Sequence, residues 1–202
     1  ALTAVKRGKN TSMWMSVESV KNKSSDIVLS AGNTGALFVI AKLNLKMLEK
    51  IDKPALSGLW PNKLGMNVVL DLGANVECNE KNLKDFSIMG SALHKSLFPN
   101  ETCKVALLNI GSEELKGNET IKETYKILNE KRSYNYDFDG YIEGNHLMDG
   151  NVNVIVSDGF TGNVALKTAE GTANFITSEL KKAMTGSLIG KISSLLNISN
   201  LN

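Results

Sequence analysis

The sequence predicts an α/β fold with three layers, in which helices cover both faces of a mostly parallel sheet. Four short apolar runs each lead into a glycine-containing loop. These runs are continuous rather than alternating, which is typical of strands that are buried on both faces. Segments with helical spacing separate the runs, and this alternation predicts parallel strands joined by helical crossovers. A chain of 202 residues is long enough for one such domain.

The predicted strands are these four runs and a fifth, less regular one. They cover residues 26–29, 67–70, 105–108, 136–142 and 152–156. The predicted helices have apolar residues three or four positions apart. They cover residues 36–48, 83–97, 119–128 and 164–180. We expect an α/β core over residues 1–179, followed by a basic amphipathic helical segment of the same domain over residues 180–202.

Composition and charge exclude several classes of protein. The net charge of +2 is too small to predict nucleic-acid binding. Cys78 and Cys103 form no metal-binding pattern with histidine or with each other, so we expect no metal and no cofactor. Two reduced thiols fit a cytoplasmic protein. No apolar run approaches the roughly 20 residues that a membrane span needs.

Glycine-rich loops follow the predicted strands, at the edge of the sheet where α/β proteins bind ligands. Glycine allows a sharp turn and a close approach by a ligand, and asparagine can both donate and accept hydrogen bonds. In two of the loops a helix begins directly afterwards, which directs free N–H groups towards the cleft. A tight turn is the competing interpretation of any single loop. Together, the loops predict an anion site; they cover residues 30–35, 71–75, 109–114 and 157–163.

The familiar nucleotide and hydrolase signatures are absent from the sequence. No Gly-x-Gly-x-x-Gly follows a predicted strand, and no phosphate-binding Gly-x-x-x-x-Gly-Lys-Ser/Thr or Gly-x-Ser-x-Gly motif occurs. Charged residues in the loops are more informative. Asp71 and Asp158 stand at strand ends, where capping a helix or turn is the commonest role. Lys116 and Lys167 are candidates to neutralise a bound phosphate, and a solvated surface lysine is the alternative for each.

The C-terminal segment has the pattern of a basic amphipathic helix. Lys181, Lys182 and Lys191 supply its positive charge, and Leu188 and Ile192 belong to its apolar stripe. Such a helix can lie on an anionic membrane or dock an acidic partner. An ordinary helix that faces the core is the alternative.

Five sequence blocks, in order, resemble motifs of the bacterial phosphate acyltransferases, the PlsX family. The similarity extends from about residue 9 to residue 172. One block alone would be a modest signal, whereas five in the right order are a strong one. The blocks are SAGNTGA (30–36), LDLGAN (70–75), LLNIG (107–111), KGN (116–118) and DGFTGNVALKT (158–168).

The resemblance implies an isopropylmalate-dehydrogenase-like α/β/α fold and a homodimer. It also implies a reaction in which acyl carrier protein loaded with a long acyl chain and inorganic phosphate give acyl phosphate and the free carrier protein. The product feeds glycerol-3-phosphate acylation, the first step of phospholipid synthesis. It also implies a cytoplasmic protein that associates peripherally with the inner face of the membrane and contacts the glycerol-3-phosphate acyltransferase. Complete members extend further at both ends, so we expect part of the site to lie outside this chain.

Two positions depart from the family pattern. Lys53 stands where members usually have arginine, which keeps the charge but loses bidentate geometry. His146 stands where an aspartate is common, so the resemblance assigns no catalytic role to that position.

The chemistry implied by the resemblance needs no protein nucleophile, because phosphate can attack a thioester directly. Backbone N–H groups, asparagines and lysines can then position the reactants and stabilise charge. The candidate catalytic residues are Asn75, Asn109, Lys116, Asp158, Asn163 and Lys167. The candidate substrate-binding residues are Gly32, Asn33, Thr34, Gly35, Asp71, Gly159 and Gly162.

Two alternative functions remain open. One is a phosphotransacetylase-like enzyme that acts on a short acyl-CoA. The other is a non-enzymatic scaffold that docks on a membrane through the basic C-terminal segment.

Overall fold

The computed structural model of the chain describes residues 8–130 and 135–186. Its centre is a five-stranded sheet in the order β1-β2-β5-β3-β4, in which only the β1–β2 pair is antiparallel. This confirms the predicted α/β class with a mostly parallel sheet. The strands are β1 (Ser57–Asn62), β2 (Gly65–Leu70), β3 (Lys104–Asn109), β4 (Asp137–Glu143) and β5 (Val154–Val156).

Five α-helices accompany these strands in the described residues. The helix that follows β2 begins with a reciprocal cap: the Asn79 side chain accepts from the backbone of Asn82, and the Asn82 side chain accepts from the backbone of Asn79. Four N–H groups are unpaired at the start of any helix, and this arrangement satisfies one of them. The helices are α1 (Ser12–Lys21), α2 (Thr34–Asn44), α3 (Glu80–Leu97), α4 (Glu119–Glu130) and α5 (Gly159–Thr185).

The hydrophobic core lies between the sheet and helices α3 and α4. Helix α3 packs across β2, β3 and β5, and α4 packs on β3 and β4. Leu83 and Phe86 of α3 are fully buried against the central strands. Alternate residues of those strands, such as Val69 and Ile155, are also buried. Both faces of the sheet are therefore covered, as continuous apolar strands require.

Two predictions about the strands were wrong. Residues 26–29 form no strand, and the side chains of Ile27 and Leu29 are 81% and 94% exposed. An apolar run becomes a strand only where a neighbouring strand can pair with its backbone, and none does so in the described part of the chain. Strand β1 was not predicted, because its sequence contains Gly58 and Pro61 and lacks an apolar run. It is an antiparallel edge strand, where proline is tolerated.

The chain forms two compact units, Ala1–Gly162 and Asn163–Asn202, and the boundary between them falls inside α5. The division at residues 179 and 180 that the sequence suggested stays a prediction. Among the described helices, none has the length and apolar character needed to cross a membrane.

Asp85 in α3 is a buried carboxylate with an unsatisfied oxygen. The residue is 5% exposed, and its Oδ2 has no hydrogen-bond partner in the described structure. Burial raises the pKa of this carboxyl above its ordinary value of 3.8, and Lys81 and Lys84 offset part of the effect. The charged form is therefore less stable in the folded than in the unfolded protein.

Asp85→Asn is expected to stabilise the protein at neutral pH by about 1 kcal/mol, because it removes this buried charge. Asp85 contributes most favourably to the wild-type free energy of unfolding below pH 3.8, where it is protonated in both states. This contribution is lost as the pH rises through the raised pKa of the folded protein. The difference in the free energy of unfolding between Asp85→Asn and the wild type should therefore vanish below pH 3.8. Urea unfolding at several pH values measures it, and a difference that does not change with pH would contradict the explanation.

Candidate active site

Three loops meet at the carboxyl ends of neighbouring strands β2, β5 and β3. Strand order alone brings them together, because parallel strands end at the same edge of the sheet. The loops after β2 and β5 are joined by a backbone hydrogen bond of 3.0 Å, which the Asp71 N–H donates to the Ser157 carbonyl. The loops are residues 71–75 after β2, 157–162 after β5 and 110–118 after β3.

Asp71 organises the loop after β2. Its side chain is completely buried. Oδ1 accepts hydrogen bonds from the backbone N–H groups of Leu56, Gly73 and Ala74 at 3.0–3.2 Å. Oδ2 accepts from the backbone N–H and the side-chain amide of Asn75 at 2.8 and 2.7 Å. With five donors bound, the carboxylate holds the loop in one conformation.

Asn75 uses its amide nitrogen within the protein. Nδ2 donates to the Pro54 carbonyl and to Asp71 Oδ2, each at 2.7 Å. Both partners are acceptors, which fixes the orientation of the amide. The atom that Asn75 can offer to a ligand is therefore the acceptor Oδ1, and an oxyanion would not be stabilised by it. Sequence reasoning did not identify Pro54 and Leu56 as parts of this frame.

Gly159 and Gly162 allow the first turn of α5 to touch the loop after β2. A Cβ on Gly159 would lie 2.7 Å from both the backbone nitrogen and oxygen of Asn75. A Cβ on Gly162 would overlap the backbone oxygen of Asp71 and lie 2.6 Å from Ser157 Oγ. Most of these obstacles are backbone atoms that cannot rotate away. The two glycines thus serve close packing between the loops.

Asp158 caps α5. Its Oδ1 accepts from the Thr161 N–H and its Oδ2 from the Thr161 hydroxyl, both at 2.8 Å. The N–H of Gly159 donates to the Asn75 carbonyl at 2.7 Å. The backbone N–H groups of Gly159 and Thr161, at the helix start that the sequence predicted to bind an anion, therefore already donate hydrogen bonds within the protein. Thr161 was missed, although its position three residues after an aspartate is the spacing of a helix cap.

The loop after β3 is closed by Asn109. Its Nδ2 donates to the carbonyls of Gly111 and Lys116, each at 3.1 Å, and so ties the two ends of the loop together. Gly117 has φ +95°, and a side chain there would overlap Asn109 Oδ1. Asn118 then caps α4 through a 2.9 Å bond from the Ile121 N–H.

Lys116 extends from this closed loop with its charge available. Its side chain is exposed, and its ammonium group has no hydrogen bond or ion pair with any described residue. An unpaired ammonium on a rigid loop can bind an anion without first breaking an internal contact.

The loop of residues 30–35 makes its described contacts with other parts of the chain than these three loops. The Asn33 side chain caps α2 by accepting from the Ala36 N–H at 3.0 Å, and Gly32 lies against Met13 of α1. Thr34 and Gly35 are exposed. No hydrogen bond in the described residues joins this loop to the loops after β2, β3 or β5. The expectation that it follows a strand of the same sheet was wrong, because residues 26–29 are not a strand.

The remaining predicted residues belong to the second unit. Asn163 is exposed, and the ammonium of Lys167 pairs with Glu170 at 2.7 Å on the same helix. Lys181 is exposed, and Lys182 pairs with Glu179 at 2.7 Å. Their assigned roles stay predictions. The predicted contact residues Leu188, Lys191 and Ile192 lie outside the described residues.

The two positions that depart from the family pattern have local partners. Lys53 Nζ donates to the Glu77 carbonyl at 2.9 Å, which supports the segment after the Asp71 loop. His146 Nδ1 lies 2.7 Å from Asp149, which also binds Lys63 at the β1–β2 turn. His146 is therefore engaged near that turn and not with the three loops.

A cavity of about 330 Å³ opens where α3, α4 and α5 begin. Leu83, Ile121 and Phe160 supply apolar surface, and Asp158 lies among its polar groups. Cys78 also lines it. Burial raises the pKa of the Cys78 thiol, Lys53 lowers it in part, and the charges of Asp71 and Asp158 raise it further.

The chain matches the family described as fatty acid synthesis protein over residues 1–202. It is 76% identical to a phosphate acyltransferase of Pelagibacter ubique over 200 residues, which is 99% of this chain and 60% of that protein. It is 45% identical to the phosphate acyltransferase of Maricaulis maris over 199 residues, which is 98% of this chain and 56% of that protein. The chain thus spans little more than half the length of these relatives.

Among solved structures, the EutD phosphotransacetylase from Staphylococcus aureus is similar, with a TM-score of 0.60 and 15% identity. The match covers 86% of this chain and 62% of that one and supports the α/β fold. The resemblance drawn from the five sequence blocks is confirmed by the family match and by the named relatives. The chain belongs to the fatty acid synthesis protein family, and the two relatives from Pelagibacter ubique and Maricaulis maris are phosphate acyltransferases.

Proposed function

We propose that this chain is part of an acyltransferase that makes acyl phosphate from long-chain acyl carrier protein and inorganic phosphate. The observation that carries the proposal is the meeting of three motif loops at one edge of the sheet, after β2, β3 and β5. Each of these three loops contains sequence blocks that resemble motifs of the phosphate acyltransferases. The similarity to phosphate acyltransferases along almost the whole chain supports the same reaction.

The reaction needs positioning more than it needs a reactive side chain. A phosphate oxygen attacks the thioester carbonyl, a carbon–oxygen bond forms, and the carbon–sulfur bond breaks. The electron pair leaves on the sulfur of the carrier's thiol, whose pKa of about 8.5 makes it a fair leaving group. Rigid loops that hold both reactants in the attack geometry supply much of the rate enhancement.

The structure favours different roles for the candidate residues. Asp71, Asn75 and Asn109 hold the loops, because their side chains are engaged in internal hydrogen bonds. Lys116 is the side chain best suited to offset the charge of phosphate, since its ammonium group is unpaired among the described residues. Asp158 caps α5, and we propose that its role is to position Gly159 and Gly162.

The other proposed contributions rest on sequence. Asn163 and Lys167 would contact the phosphate, together with the Gly32, Asn33, Thr34 and Gly35 loop. We also propose a cytoplasmic homodimer that binds the membrane peripherally and passes its product to the glycerol-3-phosphate acyltransferase.

The reaction is tested by trapping its product. The complete protein, incubated with long-chain acyl carrier protein and phosphate, should form an acyl phosphate that hydroxylamine converts to a hydroxamate. The thioester itself reacts with hydroxylamine, so the control omits phosphate. A folded, complete protein that yields no phosphate-dependent hydroxamate would overturn the proposed function.

Membrane association is tested with vesicles. The complete protein should co-sediment with vesicles that contain anionic lipid, and deletion of residues 181–202 should release it, because that segment carries Lys181, Lys182 and Lys191. Neutral vesicles are the control. Unchanged binding after the deletion would exclude this segment as the anchor, and binding by a protein without transferase activity would favour the scaffold function.

A phosphotransacetylase-like activity on short acyl-CoA is the second candidate. The structural similarity to EutD phosphotransacetylase favours it. Rates with long-chain acyl carrier protein and with acetyl-CoA distinguish the two, and a higher kcat/KM for acetyl-CoA would select the second.

A further inference from the structure

The cavity beside the three loops is of mixed polarity. Leu83 and Ile121 are almost completely buried and form its apolar part, and Phe160 lies exposed at its edge. Val76 and Cys78 also line it, and the remaining lining residues are polar or charged. Such a surface suits neither a bare hydrocarbon chain nor a fully hydrated ion.

The charges around the cavity disfavour an anion inside it. Glu77 and Asp158 contribute carboxylates to its lining, and none of the described lysine or arginine residues lines it. Burial is the main reason why the pKa of the Cys78 thiol is raised, which shows that the charged thiolate loses hydration here; Lys53 lowers the pKa, and Asp71 and Asp158 raise it. A dianionic phosphate would likewise lose hydration inside the cavity, and it would lie close to the carboxylates of Glu77 and Asp158.

Two neutral side chains of the lining, those of Asn118 and Thr120, have unused hydrogen-bonding groups among the described residues. Asn118 uses only Oδ1 for its cap on α4, which leaves Nδ2 without a partner among the described residues. The Thr120 hydroxyl, half-buried beside it, likewise has no partner in that part of the chain. A donor and a hydroxyl next to apolar surface complement a neutral chain that contains amide groups.

We propose that this cavity binds the pantetheine arm that carries the thioester, while phosphate binds outside it. The proposal rests on the proposed function and identifies the substrate segment at that site. The pantetheine arm is uncharged and alternates methylene groups with two amides. It is common to acyl carrier protein and to acyl-CoA, so the cavity by itself is compatible with either donor.

Alkylation of Cys78 tests occupancy of the cavity directly. The complete protein is treated with iodoacetamide, a neutral reagent, and modification is followed by peptide mass spectrometry. Long-chain S-acyl pantetheine in phosphate-free buffer should slow the reaction of Cys78 about tenfold at a concentration about ten times its Kd. Cys103 is the internal control, because it is 3% exposed and burial raises its pKa to about 11.

Inorganic phosphate alone should leave the alkylation of Cys78 unchanged. Protection by phosphate alone would overturn the proposal, as would full reactivity in the presence of S-acyl pantetheine. If the same protein still makes acyl phosphate, the proposed function stands and only the position of the arm is wrong. If it makes none but S-acyl pantetheine protects Cys78, the cavity binds the arm and the proposed function fails.

A substitution that fills the cavity provides the second test. Thr120→Trp should raise the KM for the acyl donor about tenfold and leave the KM for phosphate unchanged. Glu123→Trp, on the same helix and with a partly exposed side chain, is the matched control. Equal increases of both KM values, or no increase, would contradict the assignment. Comparing acyl carrier protein with the acyl-CoA of the same chain then identifies the natural source of the arm.

Discussion

Gly162→Ala is expected to reduce acyl phosphate formation by about 100-fold or more, because displacing a rigid loop by about 1 Å can cost that much in rate. The new methyl group would overlap the backbone oxygen of Asp71 and crowd Ser157 Oγ. Neither the loop after β2 nor the first turn of α5 can rotate away, so the two must separate. Overpacking of this kind also lowers the free energy of unfolding, typically by about 1–3 kcal/mol.

Gly171→Ala is the matched control for this prediction. Gly171 lies on the same helix, and a Cβ there would meet no atom within 4 Å. Alanine in a helix interior is about 1 kcal/mol more favourable than glycine, so this variant should be slightly more stable. Phosphate-dependent hydroxamate formation and urea unfolding measure both variants. If Gly162→Ala retained wild-type activity and stability, close contact between the two loops would not be needed.

Asp71→Ala is expected to lower the free energy of unfolding by about 3 kcal/mol or more, since several buried donors lose a charged acceptor. The N–H groups of Leu56, Gly73, Ala74 and Asn75 all bond to this carboxylate. Activity should fall with stability, because the Asn75 loop loses its support. Guanidinium unfolding measures the loss of stability, and the hydroxamate assay measures the loss of activity.

Asp71→Asn separates charge from shape. It keeps one acceptor oxygen but places an amide nitrogen opposite the donors of Asn75, so most of the destabilisation should remain. Asp139→Asn, on an exposed part of β4, is the control and should change stability by less than about 0.5 kcal/mol. Wild-type stability of Asp71→Asn would contradict the role assigned to the carboxylate.

Local sequence patterns predicted most of the sheet and its helices. Strands β2, β3 and β5 are buried on both faces, and a continuous apolar run is the direct consequence of that burial. Helix α3 is predictable from its apolar period, and the paired Asn79 and Asn82 mark its beginning. Residues 26–29 have the same local pattern and yet form no strand. Pairing with a neighbour decides strand formation, and it cannot be seen in four residues.

The candidate site was predictable as a set of loops but less so in its individual roles. Glycine, asparagine and aspartate after each strand indicated polar loops at one edge of the sheet. They did not reveal which atoms were already engaged. By residue type, Asn75 and Asn109 are equally suited to bind a substrate, but in the structure the amide nitrogen of each one holds a loop.

The fold class, the four parallel strands β2 to β5 and the glycine-containing loops after them follow from the sequence, because these features depend on local hydrophobic pattern and on residue type. Which loops meet depends on the tertiary structure. It placed Asp71 and Asn75 against Gly159 and Gly162, which are more than 80 residues away along the chain, and it formed the cavity where three helices begin. Strand order produces these contacts, and it is set by pairing between distant segments that no local pattern encodes.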